Sequence, residues 1–128
     1  MSISITYRVA GPTAALSVAN TQHATVAVLS ASDAISNGAL FINRGATDVC
    51  VVTAPLAGYP SAPVAASPTT PTLVFPVDGT PTVPNSFILP AGMTQPMLMA
   101  TPASGFAVSA IGSAAGPSII YITPVALQ

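Results

Sequence analysis

Residues 39–52 read Ala-Leu-Phe-Ile-Asn-Arg-Gly-Ala-Thr-Asp-Val-Cys-Val-Val. Two runs rich in β-branched and aromatic side chains flank Asn43 to Asp48, a link that contains both an Asn and a Gly. Branched and aromatic side chains pack well on a pleated surface, which favours extended backbone on both flanks. Asn and Gly tolerate the positive φ of tight turns, so the spacing predicts a hairpin that pairs Ala39–Ile42 with Val49–Val52. An antiparallel β-fold follows if the same period-2 pattern extends along the chain.

Working outward, it does. Ile3, Ile5, Tyr7 and Val9 alternate with Ser4, Thr6 and Arg8, the signature of a half-buried strand. Leu16 with Val18, and Val26 with Val28, form two more short segments around Asn20-Thr21-Gln22-His23 and read as a hairpin or meander. Ser32 and Asp33 could cap a helical turn, but Asn37-Gly38 ends it early, so Ser30 to Ser36 reads as a loop. Beyond Ser86, strands are predicted at Ser86–Leu89, Pro96–Ala100, Phe106–Ile111 and Ser118–Thr123, the last apolar on both faces. Turns are predicted at Pro90-Ala91-Gly92 and Pro102–Gly105, and a hairpin loop at Gly112–Pro117.

The stretch from Pro55 to Pro84 differs in character. It holds eight of the fourteen prolines, which cannot donate to a strand ladder. An extended excursion is predicted there, with Thr72–Phe75 its only strand candidate. Short strands between regular turn signals, without a helix, predict an all-β fold: an antiparallel β-sandwich, jelly-roll or immunoglobulin-like. One domain is expected over residues 1–128, with 55–84 as a long Pro-rich loop or arm.

Composition narrows the partners. The chain has 128 residues, two Lys+Arg, three Asp+Glu and a formal charge of −1. Its charged share is 4%, against about 25% in ordinary soluble domains. Leu, Ile, Val and Phe total 34 residues, enough for a packed core. With Arg8 and Arg44 as the only cations besides His23, no nucleic-acid partner is expected, because phosphate must be neutralised by Lys and Arg. Apolar runs such as Ala24–Leu29 are far shorter than a bilayer span, so no membrane partner is expected either. The first residues lack the charged start and continuous apolar stretch of a secretory signal, which predicts synthesis and use on the cytosolic side.

Residues 39–53 and 87–124 together resemble small virion proteins of tailed bacteriophages. Phe41-Ile42-Asn43-Arg44-Gly45 and Asp48-Val49-Cys50-Val51-Val52 are similar to the family's Val-x-Asn-x-Gly … Val-Phe-Val hairpin. Leu89-Pro90-Ala91-Gly92, Gly105–Ile111 and Ile120-Tyr121-Ile122-Thr123-Pro124 follow the order of its Leu-Pro-Ala-Gly … Ala-Ala-Ile … Leu-Tyr-Val-Thr-Pro tail. Val125 stands where the family usually has Gly, and the Pro55–Pro84 connection is longer than usual. The resemblance implies a capsid decoration or cement protein at the virion surface, assembled in the host cytoplasm. It would contact the major capsid protein and copies of itself, as a homodimer or homotrimer. A tail, fibre or baseplate component and a carbohydrate- or surface-binding module are the alternatives. The latter would rely on exposed aromatics, for which the chain offers Tyr7, Tyr59 and Tyr121 but no Trp.

No catalytic, cofactor-binding or metal-binding residue is assigned. His23 is the only imidazole and could pair with Cys50, Asp33, Asp48 or Asp78, yet no nucleophile elbow accompanies it. Structural zinc wants four His/Cys ligands where this chain has His23 and Cys50, and the three Asp lack calcium-loop spacing. Gly112-Ser113-Ala114-Ala115-Gly116 lacks the lysine of a phosphate loop. Cys50, in an apolar strand, reads as an inert buried thiol. Met93, Met97 and Met99 read as core fillers before contact patch, and Arg44 as a turn residue that is either solvated or facing an acidic neighbour. A surface coated with small neutral groups does not repel copies of itself and costs little rotamer entropy to bury, which points to function through interfaces. In that picture the Pro55–Pro84 arm reaches out to clamp a neighbouring subunit.

Overall fold

The computed structural model describes residues 6–20, 24–28, 36–55, 73, 75–79, 86–102 and 105–127. Among them are nine strands: β1 Tyr7–Val9, β2 Ala14–Val18, β3 Ala24–Val28, β4 Gly38–Asn43, β5 Val49–Pro55, β6 Phe87–Leu89, β7 Met97–Ala100, β8 Phe106–Gly112 and β9 Ser118–Leu127. They form two antiparallel sheets packed as a β-sandwich. The first sheet has the order β2-β9-β4-β7, with β1 lying beyond β2 along the same edge of β9; the second has the order β3-β8-β5-β6.

Strand positions match the period-2 reading, but β1 is exposed along all three residues rather than half-buried, because it only borders the end of β9, and several pairings differ from those expected. The predicted hairpin of residues 39–52 does not form: β4 pairs with β9 and β7, while β5 pairs with β8 and β6 in the opposite sheet. Residues 44–48 therefore arch between sheets, which lie about 10 Å apart in packed β-structure. The same correction applies to Leu16–Val18 and Val26–Val28, whose strands pair with β9 and β8 respectively. It also applies to Gly112–Pro117, which carries the chain from the second sheet to the first. Among the strands β2 to β9, β5 and β6 are the consecutive pair that share a sheet.

The physical reason lies in burial. In β5, Val49 and Val51 face the sandwich core while Cys50 and Val52 face outward, and all four are buried. A strand with two apolar faces belongs at the middle of a covered sheet, which a two-stranded hairpin cannot provide. The main core lies between the sheets and includes Phe41, Ile120 and Ile122 from one side and Phe106, Val108 and Leu89 from the other. The rings of Phe41 and Phe87 meet edge to face with centroids 5.2 Å apart. Met93, Met97 and Met99 pack against this core, the core-filling role expected of them, with Met97 and Met99 on one face of β7.

A second, smaller cluster forms on the outer face of the second sheet, where Leu73 covers Cys50, Val52 and Ile111, with Phe75 beside it. Leu73 is 1% exposed. This part of the proline-rich excursion therefore lies on its own sheet. The strand expected at Thr72–Phe75 is absent at the described positions Leu73 and Phe75; neighbouring prolines remove the donors a ladder needs. Most of 55–84, like Ile3, Ile5 and Ser30–Ile35, falls outside the described residues. We expect Leu73→Ala to cost about 2 kcal/mol in urea unfolding, the low end for a buried leucine because one side of the cluster is thin.

β9 runs through Pro124, further than the predicted Thr123. Ala10 N–H donates to Pro124 O at 2.8 Å, so Pro124 turns its polar edge to the gap between β1 and β2. Its missing N–H thus falls where Gly11-Pro12 already interrupts the ladder, and no pairing is lost.

Candidate interaction surface

The two sheets differ in what covers them. On the outer face of the second sheet Leu73 covers the centre, at Cys50, Val52 and Ile111, and every residue of β8 is buried, while Ile88 on the β6 edge stays 37% exposed. On the first sheet, alternation in β9 sends Ile120 and Ile122 into the core and leaves Ile119 and Tyr121 outward, 45% and 39% exposed. Cross-strand register places Ser17 opposite Ile119, Ala15 and Ile42 opposite Tyr121, and Leu98 opposite Leu40. Ile42, Leu40 and Leu98 are only half-buried. The result is an uncharged, largely apolar strip across the outer face of β2, β9, β4 and β7.

One end of this strip is held rigidly by the β4–β5 arch. Asn43 is buried at the end of β4, and its Nδ2 donates to Thr47 O at 2.8 Å and Leu89 O at 3.0 Å. Its Oδ1 accepts from Gly45 N–H at 2.9 Å. Ser118 Oγ accepts from Thr47 N–H at 3.1 Å, donates to Thr47 O at 3.0 Å and meets Thr47 Oγ1 at 2.8 Å. Ala91 N–H donates to Asp48 Oδ1 at 2.9 Å, and Gly92 N–H to Gly45 O at 3.0 Å. Gly45 is needed for close approach: a Cβ there would lie 2.7 Å from Ser118 Cα. Its φ is not positive, unlike the +66° of Gly92 in the following turn.

Arg44 hangs from this arch at the edge of the apolar strip. With Gly45, Pro117, Ile119 and Tyr121 it bounds an open depression of about 290 Å³. Its side chain is exposed, and Nη1 reaches Met93 O at 3.4 Å, a long contact. Asp48, the nearest carboxylate in sequence, is engaged by Ala91 instead.

The remaining candidate residues do not converge. Cys50 is buried on the opposite sheet. Burial raises its thiol pKa above the ordinary 9.0, only partly opposed by a hydrogen bond from Ser86. Asp78 lies in an exposed turn, and His23, Asp33 and Tyr59 lie outside the described residues. Among the described residues no three of His, Cys, Asp and Glu cluster as metal ligands, and no helix is long and apolar enough to cross a membrane. We expect Cys50 to react slowly with a thiol reagent in the native protein and fast in denaturant. Because the folded state holds this proton more tightly, its contribution to stability is complete below about pH 9 and lost as pH rises further; denaturation midpoints at graded alkaline pH check this.

The sequence signal for the surface was present in Ser118–Thr123, apolar on both faces. The cover over the centre of the opposite sheet comes from Leu73, far away in the chain. Comparisons with family profiles, curated proteins and solved structures find no match to this chain.

Proposed function

We propose that the chain is a non-enzymatic virion structural protein, a capsid decoration or cement protein that stabilises a tailed-phage head through protein–protein contacts. The observation that carries this reading is the asymmetry of cover: the centre of one sheet is shielded by Leu73 and Phe75, leaving Ile88 exposed at its edge, while the other presents an uncharged apolar strip with a rigid rim. Exposed apolar surface of this kind marks interaction sites. It suits a shell partner, and copies of the chain, better than nucleic acid or a membrane. The strand order supports the jelly-roll form over the immunoglobulin-like one. β2-β9-β4-β7 over β3-β8-β5-β6, with nearly every connection crossing between sheets, suits two interleaved Greek keys. The residues behind the resemblance also meet in space, since Asn43 bonds to Leu89 and Gly45 packs on Ser118.

The test is location. Electron microscopy of particles carrying a gold-labelled antibody against the chain should show label across the head at lattice intervals. Label confined to a ring or fibre at the tail would replace this reading with the tail, fibre or baseplate one. Absence from particles would overturn both.

A further inference from the structure

We infer that the depression between Arg44, Ile119 and Tyr121 docks a carboxylate-bearing segment of a different protein, with an apolar neighbour of that carboxylate seated on Ile119 and Tyr121. The inference rests on the proposed function and specifies the surface and the chemistry of the partner. Charge complementarity selects the occupant. Among the described residues Arg44 is the one charged side chain bounding the depression, and no carboxylate pairs with it. A guanidinium presents a planar fork of donors that matches a carboxylate in two parallel bonds, and it keeps its charge at any working pH. Ile119 and Tyr121 supply the apolar and aromatic floor on which binding energy concentrates.

A second copy is a poor source of the acid. The chain has three Asp and no Glu; Asp48 already accepts from Ala91 N–H, which leaves Asp78, in its exposed turn, as the one other carboxylate among the described residues. The site is also preformed. Arg44 N–H donates to Ile119 O at 3.4 Å, and bonds from Asn43 and Ser118 hold the arch on either side of it, so docking orders little new backbone.

The probe is empty heads of the phage that encodes the chain, assembled from shell protein alone and mixed with purified chain in a sedimentation assay. Arg44→Glu and Ile119→Asp should each weaken binding about ten-fold or more, whereas Val77→Asp, a substitution at an exposed site elsewhere, should leave it unchanged. Moderate salt should weaken the wild-type chain and have less effect on Arg44→Ala. Unchanged unfolding midpoints and circular dichroism confirm that each variant is folded, and Tyr121→Ala provides an independent probe of the floor. Wild-type binding with no loss in Arg44→Glu or Ile119→Asp overturns this site while leaving the head reading intact. Failure of the wild-type chain to bind overturns both. A dimer or trimer of the free chain that Ile119→Asp dissociates gives the face to a second copy and overturns the assignment to a different protein.

Discussion

Phe41→Ala is expected to lower the unfolding free energy by about 4 kcal/mol, a large part of the 5–15 kcal/mol that typically separates folded from unfolded domains. Phe41 is fully buried in β4 and is the largest side chain that the first sheet sends into the core. Truncation removes its transfer free energy and leaves a cavity that flanking strands, held by ladders on both sides, cannot collapse to fill. It also removes the edge-to-face contact with Phe87 across the sandwich. Phe87 is only half-buried, so Phe87→Ala should cost less, about 2 kcal/mol. The double variant should reveal a coupling of about 1 kcal/mol. Urea denaturation of the four proteins measures all three quantities. A loss below about 1 kcal/mol for Phe41→Ala would mean that the two sheets do not pack through this ring.

The contrast between strand placement and strand pairing explains how much was legible in the chain. Alternation is a local property, so Leu16 and Val18, Phe41, Met97 and Met99 announce which side they turn to the core without reference to any partner. Pairing is not local. β9 chooses β2 and β4 because its two apolar faces and ten-residue length suit a central position, and no window around either partner records that. Turn chemistry read correctly at Gly92, where φ is +66°. It misled at Gly45, where the missing Cβ makes room for Ser118. An Asn and a Gly in a short link are compatible with either use, and only the position of Ser118, seventy-odd residues away, distinguishes them. Leu73 was legible only as part of the short run Thr72–Phe75: its spacing from Phe75 marks an apolar pair, but nothing local says that the pair settles on the centre of the second sheet's outer face.

Asn43→Ala is the second large effect, and its mechanism is different. The residue is buried, and its amide donates two hydrogen bonds and accepts a third. Truncation removes the side-chain partner of the Leu89 carbonyl and of the Gly45 N–H, and leaves the Thr47 carbonyl with Ser118 Oγ as its donor. Each unsatisfied buried group costs about 1–3 kcal/mol, less where water enters the gap, so a total near 3 kcal/mol is expected. Asn43→Asp sharpens the argument, because it keeps the acceptor for Gly45 N–H but aims a carboxylate at two carbonyl oxygens. The folded state should then favour the protonated acid, which can still donate to one carbonyl. Its folded pKa rises above the unfolded one, so stability present at low pH is lost as pH increases. Denaturation of Asn43→Ala and Asn43→Asp across acid to neutral pH separates a missing bond from a mismatched charge. Hydrogen exchange at Gly45 and Thr47 shows whether the arch itself has opened. Equal stability of Asn43→Asp at both ends of that range would contradict the bonding described here. Since Arg44 is carried by the same arch, either substitution should also loosen the rim of the exposed strip, so that fold stability and docking fall together through a residue that touches no partner.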